Sequence, residues 1–153
     1  MEIYIRNARP DEYKIVEAIM RQVQQMHIDW RPDIYKDSET VLPLELYEHA
    51  AKEETFYVAE YDGKVAGILF IQYRHIESPN QVIRNIIFVD SMAVEEKYRG
   101  KGIGYAFFDF LRELRDQRGY DGIELQVNAR NKAAYQFYSN YGFTDKSINM
   151  ELS

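Results

Sequence analysis

Cysteine is absent from this 153-residue chain. That removes disulfide bridges, thiolate zinc sites and a cysteine nucleophile together. Long apolar runs are missing too, since no stretch approaches the ~20 residues of a membrane span. The start, Met1-Glu2-Ile3-Tyr4-Ile5-Arg6, lacks the apolar core of a signal peptide. The expectation is a cytoplasmic protein that contacts no membrane. Positive charge is also scarce: 19 Lys and Arg stand against 25 Asp and Glu, a net charge of −6. Nucleic acid is therefore not expected as a partner, because neutralising phosphates needs a basic face. An acidic chain instead suits a cationic or amine-bearing small substrate. The three histidines, His27, His49 and His75, show no metal-ligand spacing, so no metal is expected.

What is plentiful is aromatic, with 13 Tyr and 8 Phe suited to core and sheet packing. No linker, repeat or low-complexity stretch divides the chain, so residues 1–153 read as one domain. A strand is expected over residues 2–7, then a helix starting near Pro10. Ile15, Val16, Ile19, Val23 and Met26 keep a helical period to about residue 27. The stretch His27 to Asp33 breaks that period, and Pro32 turns Arg31 away from helix, so a loop is expected there. A second helix is expected over residues 40–53. Strands over 55–61 and 64–73 flank Asp62-Gly63, a hairpin turn signal, and Gly67 marks a bulge. Residues 82–94 form a long, mostly apolar strand, expected at the centre of the sheet. Helix follows over 103–118, stopped by Gly119, then a strand through Ile123, Leu125 and Val127. A short helix over 131–141, ended by Gly142, leads to a final strand over 143–152. The order β-α-α-β-β-β-α-β-α-β gives a mixed α/β fold around one sheet, antiparallel first and parallel at the later β-α-β step.

The most informative run is Tyr98-Arg99-Gly100-Lys101-Gly102-Ile103-Gly104, between the long strand and the third helix. Alternate glycines let the backbone turn tightly and bare its N–H groups. A helix N-terminus adds orphan donors and the positive end of a dipole. Together they make a cradle for phosphate. A Walker A loop is excluded, because no G-x-x-x-x-G-K-[ST] string occurs. A Rossmann loop is opposed by the bulky Tyr105 where a third small residue belongs, although Glu124 lies about 20 residues on, as a ribose ligand would. A turn that merely joins strand to helix is the plainer alternative.

These residues carry a resemblance. Arg99-Gly100-Lys101-Gly102-Ile103-Gly104 is similar to the pyrophosphate loop, R/Q-x-x-G-x-G/A, of the GNAT family of N-acetyltransferases. Asn131-Lys132-Ala133-Ala134-Tyr135-Gln136-Phe137-Tyr138, followed by Gly142-Phe143, resembles the family's later N-x-x-A-x-x-F-Y…G-F segment. The order of elements matches along nearly the whole chain, least diagnostically in its first third.

The resemblance implies a single acetyl-CoA-dependent domain that acetylates an amine of a small molecule or peptide by direct attack in a ternary complex. It implies that loop amides from Gly100 through Ile103 to Gly104 hold the pyrophosphate, with Arg99 and Lys101 nearby; Lys132 could approach the 3′-phosphate, a solvated lysine being the plainer alternative. Met92, Ala93 and Val94 would offer backbone groups to the pantetheine arm, with the Val94 N–H a donor where charge develops on the thioester oxygen. Tyr138 is the candidate general acid for the departing thiolate. Asn131, seven residues before it, would share its helix face at the cofactor, with Ala134 between. An amine of pKa ~10.4 must lose a proton before attack. Asp90 is the candidate base, expected by alternation on the same face as Met92 and Val94 and raised in pKa by burial. Pairing with Arg84 is the plainer role for it, and Glu60 and Glu95 are weaker candidates. His27, Trp30, Arg31 and Tyr35 are candidate acceptor residues, with Tyr73 and His75 as additions and a substrate carboxylate as one possible ligand of Arg31. The same scaffold could instead serve as a non-catalytic acyl-CoA sensor. A homodimer using the edge of the final strand is a further expectation.

Overall fold

The computed structural model describes residues 2–153. A five-stranded sheet with order β1-β2-β3-β4-β5 runs through the molecule. Its strands are β1 (Ile3–Asn7), β2 (Phe56–Tyr61), β3 (Lys64–Ser78), β4 (Gln81–Val94) and β5 (Gly122–Leu125). The first four pair antiparallel, and β5 joins β4 in parallel from Ile86↔Gly122 to Val89↔Leu125. Helices α1 (Tyr13–Trp30) and α2 (Leu44–Lys52) lie on one face, and α3 (Ile103–Arg118) and α4 (Lys132–Tyr141) on the other. No helix among the described residues is long and apolar enough to cross a membrane.

Alternation along the strands divides the core in two. Tyr57, Ala59, Leu69, Ile71, Ile87 and Val89 pack against Ile103, Phe107, Phe108 and Leu111 of α3. Phe56, Val58, Ile68 and Ala93 pack against Val16, Ile19, Tyr47 and Ala50 of α1 and α2. Fully burying a side chain such as Phe107 contributes ~1.5–3 kcal/mol. Gly67 lets the layers close: a Cβ there would stand 3.1 Å from Ala93 O, Ile103 Cγ2 and Phe107 Cε2.

The hairpin turn is as expected, with Asp62 and Gly63 both at positive φ, 53° and 76°. Gly67 is not itself the extra residue of a bulge, because the shift in register falls beside it, at Ala66. Other boundaries move for local reasons. Helix α1 runs on through His27 to Trp30, with the Arg31 N–H bonded to His27 O at 2.8 Å, because Pro32 disfavours helix only from Arg31. Helix α2 begins at Leu44 rather than residue 40, since its N-cap is Pro43, which a helix tolerates only in its first turn. The hairpin of β3 and β4 is longer than expected, turning at Pro79-Asn80. Strand β5 stops at Leu125, short of Val127. The final strand over 143–152 is not formed, because those residues find no ladder partner in their own chain.

Candidate functional site

After Val94 the chain makes a short 3-10 turn (Glu96–Tyr98), with the Lys97 N–H donating to the Glu95 carboxylate at 2.7 Å. It then passes through Arg99 to Gly102 into α3. Gly100 and Gly102 have φ of +76° and +88°, and a Cβ on either would meet nothing within 4 Å. The left-handed backbone, not crowding, calls for glycine at these two positions. Gly102 is the N-cap of α3 and offers no capping side chain. The leading N–H groups of α3 therefore lack an intrahelical acceptor at the positive end of the helix dipole. Gly104 has another purpose. A Cβ there would lie 2.6 Å from Phe137 Cζ, so this glycine lets α4 approach α3. Arg99 donates from Nε to Val94 O at 3.2 Å, while Lys101 is exposed.

The second element is the open edge of β4. Its pairing with β5 ends at Val89, whereas its pairing with β3 continues through Leu69↔Met92, Ile68↔Ala93 and Gly67↔Val94. The Glu95 N–H donates to Ala66 O at 2.8 Å, which makes Val94↔Gly67 a pair without mutual hydrogen bonds. By alternation Ala93 bonds to Ile68, while the backbone groups of Met92 and Val94 face away from β3, where β5 has ended. The side-chain contact of Arg99 to Val94 O lies on that open side.

Helix α4 packs against α3 through Phe137 and Tyr138. Asn131 is its N-cap, and its side-chain oxygen accepts from the Ala134 N–H at 3.1 Å. Tyr138, seven residues on, is half-buried among the rings of Phe108, Phe137 and Phe143. Burial alone pushes its phenol above the ordinary value, so it stays protonated at neutral pH. Lys132 is exposed.

Asp90 is placed differently from expectation. The register shifts between Ser91 and Val89 against Phe70 and Ile71, so Asp90 is the extra residue of a bulge. The bulge breaks the alternation that would have put it with Met92 and Val94, and it is exposed, not buried. Its carboxylate accepts from Gln72 Nε2 at 2.8 Å and from the Ser91 hydroxyl at 3.2 Å. Arg84 pairs with Glu124 instead, at 3.2 Å. Glu60 is held by Arg6 at 2.6 Å.

At the far end of α1 the His27 ring lies 5.8 Å from Trp30 and 4.8 Å from Tyr35, centre to centre. Burial lowers the His27 pKa, leaving the imidazole neutral. Arg31 is already engaged: Asp33 Oδ2 lies at 2.7 Å and Glu151 Oε1 at 2.8 Å. A substrate carboxylate, one expected ligand of Arg31, would have to compete with these two carboxylates. The pairing also holds Asp33 down to about 2. Arg130 donates to Trp30 O. Tyr73 and His75 do not join this group. Tyr73 packs beneath Arg118 and beside Tyr120 on the α3 face, and His75 bonds Asn85 and Glu77 on the exposed hairpin. Sequence reading missed Gln22, whose amide reaches Glu95 at 3.4 Å across the seam of α1 and β4. Gln22 Oε1 and His27 Nδ1 are buried without a hydrogen-bond partner among the described residues. The available signal was a polar side chain at helical spacing from Ile19 and Met26.

The sequence model of the Acetyltransferase (GNAT) family matches residues 20–143. An uncharacterized N-acetyltransferase of Methanocaldococcus jannaschii is 31% identical over 96 residues, which are 63% of this chain and 42% of that protein. An N-alpha-acetyltransferase of Sulfurisphaera tokodaii is 28% identical over 147 residues, 90% of this chain and 83% of that one. The chain spans less than half the length of the first curated relatives it matches. Among solved structures, the tetramutant of the BH1408 protein of Bacillus halodurans superposes with a TM-score of 0.91 at 27% identity, over 98% of this chain and 99% of that one. AAC(6')-Iy in complex with a bisubstrate analog superposes with a TM-score of 0.74 at 14% identity, over 100% and 98% of the two chains, a likeness of fold alone.

Proposed function

The chain belongs to the acetyltransferase (GNAT) family, and from that premise we propose that it transfers the acetyl group of acetyl-CoA to a primary amine of a small molecule or peptide. The observation that carries the reading is the juxtaposition of two sets of unused backbone donors: the start of α3 with its bare Gly100-to-Gly102 turn, and the open edge of β4 at Met92 and Val94. The first suits a pyrophosphate. The second suits the amide groups of a pantetheine arm, laid along β4 as a strand would be.

In this reading acetyl-CoA supplies an activated thioester, and the residues of the chain do the rest. The amides of Gly100 to Gly104 hold the diphosphate, assisted by Arg99 and Lys101. The Val94 N–H donates to the thioester oxygen as negative charge develops there. The amine nitrogen bonds to the carbonyl carbon, the carbon–sulfur bond breaks, and Tyr138 gives its proton to the thiolate that leaves. Asp90 is exposed, so it takes the amine's proton through solvent. His27, Trp30 and Tyr35 line the acceptor's approach, and Arg31 fixes the loop and the terminal segment around them. Asn131 acts by capping α4 and so setting the position of Tyr138.

The test is calorimetry with acetyl-CoA and CoA, followed by thiol release on adding amines. The absence of cysteine gives the thiol assay no protein background. Binding with amine-dependent release of CoA is expected. No binding at millimolar ligand would overturn the reading, and binding without release for any amine would favour the sensor.

A further inference from the structure

Helix α1 is held in two different ways along its length. Its first half is held by packing: Val16 and Ile19 are buried in the core with α2 and the sheet, and Met20 and Val23 pack against them. No residue from Gln24 to Trp30 joins either core cluster, and this is the stretch that carries His27 and Trp30. Its ties are polar. Gln24 Nε2 donates to Lys36 O at 3.0 Å and Arg31 to Asp33 at 2.7 Å, which fold the following loop back on the helix. Arg31 also bonds Glu151, and the Arg130 guanidinium donates to Trp30 O. A helix end fixed by few apolar contacts depends on such ties for its position.

The Arg130 tie is built from both sides. The Ile34 and Tyr35 N–H groups both turn to Arg31 O, at 3.0 and 2.9 Å, and leave Trp30 O to the guanidinium. Arg130 thus fills an orphan carbonyl at the negative end of the α1 dipole, where a cation is favoured. Its own backbone is fixed, with its N–H donating to Asn128 Oδ1 at 2.9 Å and the Asn131 N–H to Asn128 O at 2.8 Å. The next residue, Asn131, caps α4. Helices α1 and α4 lie on opposite faces of the sheet, so this one side chain joins the two faces beyond the end of β5. We propose that Arg130 is a positioning residue, which sets the end of α1, with His27 and Trp30, against α4 and its Tyr138. The inference rests on the acetyl-transfer reading, in which those rings meet the amine and Tyr138 meets the thiolate. Two reactants held by separate helices react only as well as the helices are aligned.

Trp30 is the single tryptophan, so fluorescence of the full chain reports this contact without any ligand. Arg130→Ala is expected to shift Trp30 emission to the red and to raise its quenching by acrylamide, with circular dichroism unchanged. KM for the most active amine is expected to rise about 3–10-fold, the worth of one hydrogen bond. The kcat and the acetyl-CoA affinity by calorimetry should stay close to native. Arg130→Lys keeps a cationic donor and is expected to recover most of both losses. Lys14→Ala removes an exposed cation from the first turn of the same helix and, as the control, should change neither. Unchanged Trp30 quenching in Arg130→Ala overturns the proposal. So does an unchanged KM for the amine, a fall in kcat alone (the mark of lost active molecules), or no recovery in Arg130→Lys. Arg130→Gln replaces Arg130→Ala if the latter fails to fold. A native chain that binds no acetyl-CoA overturns the proposed activity instead, and calorimetry shows that before any Arg130 variant is made.

Discussion

The two sides of the candidate site are built from different materials. On the proposed cofactor side the contacts on offer are backbone: the N–H groups at the start of α3 and the edge of β4 between Met92 and Val94. On the proposed acceptor side they are side chains, namely the His27, Trp30 and Tyr35 rings and the ion pairs joining Arg31 to Asp33 and Glu151. Backbone donors are fixed by the fold and tolerate change in many side chains. A side-chain network changes with every substitution. A shared cofactor with a variable acceptor suits that division.

The largest expected effect tests the one side chain placed on the cofactor side for chemistry. Tyr138→Phe keeps the ring packed among Phe108, Phe137 and Phe143 but removes the proton donor. Turnover should fall on the order of 10²-fold, with acetyl-CoA affinity by calorimetry nearly intact. Unchanged turnover would reduce Tyr138 to packing and make the cofactor side wholly a backbone device.

The glycines come next, because the loop motif treats as alike two positions that the fold uses differently. Gly104→Ala places a Cβ against Phe137 and should destabilise by ~1–3 kcal/mol, read as a lowered thermal midpoint. Gly102→Val meets no neighbour but forces a β-branched residue into φ +88° at the N-cap. Acetyl-CoA affinity should drop at least tenfold there, with a smaller loss of stability. If the two variants behaved alike, the separation of cradle from packing contact would be wrong.

This contrast also explains what the sequence made legible. A backbone cradle needs particular φ angles, and glycine is the residue that supplies them, so the loop before α3 is visible as a string. The Gly119 and Gly142 stops are visible for the same reason. The bulge at Asp90 was hidden, because a one-residue slip against β3 depends on both strands at once. The Arg31–Glu151 pair was hidden more deeply, since it joins residues far apart in the chain. The segment 143–152 has a strand's pattern without a strand's partner. Pattern reports which face is apolar, not whether a neighbour exists.

On the acceptor side, Arg31 gives a titration. Its hydrogen bonds hold Asp33 at about 2, below the ~3.9 of an unfolded aspartate. A depressed folded pKa means the pairing is fully present above ~3.9 and is lost as pH falls through about 2. Asp33 is solvent-exposed, so the effect on global stability should be slight. In Arg31→Gln, the Asp33 carboxyl followed by NMR should titrate near its ordinary value. A midpoint that stays near 2 would show that another group holds it and would remove Arg31 from the centre of the network.

The smallest effect belongs to Asp90. An exposed carboxylate that already accepts from Gln72 and Ser91 gains little over water as a proton acceptor. General bases draw their advantage from burial or from a charged neighbour that brings the pKa near the working pH. At the bulge, solvent access removes the first of these. Asp90→Asn should therefore lower turnover by less than tenfold, most visibly with strongly basic amines, and its pH–rate profile should keep its shape. A loss near that of Tyr138→Phe, with the basic limb of the profile displaced, would mean that the acceptor's arrival buries Asp90. The acceptor side would then be assembled by its ligand, in contrast to a cofactor side already set by the backbone.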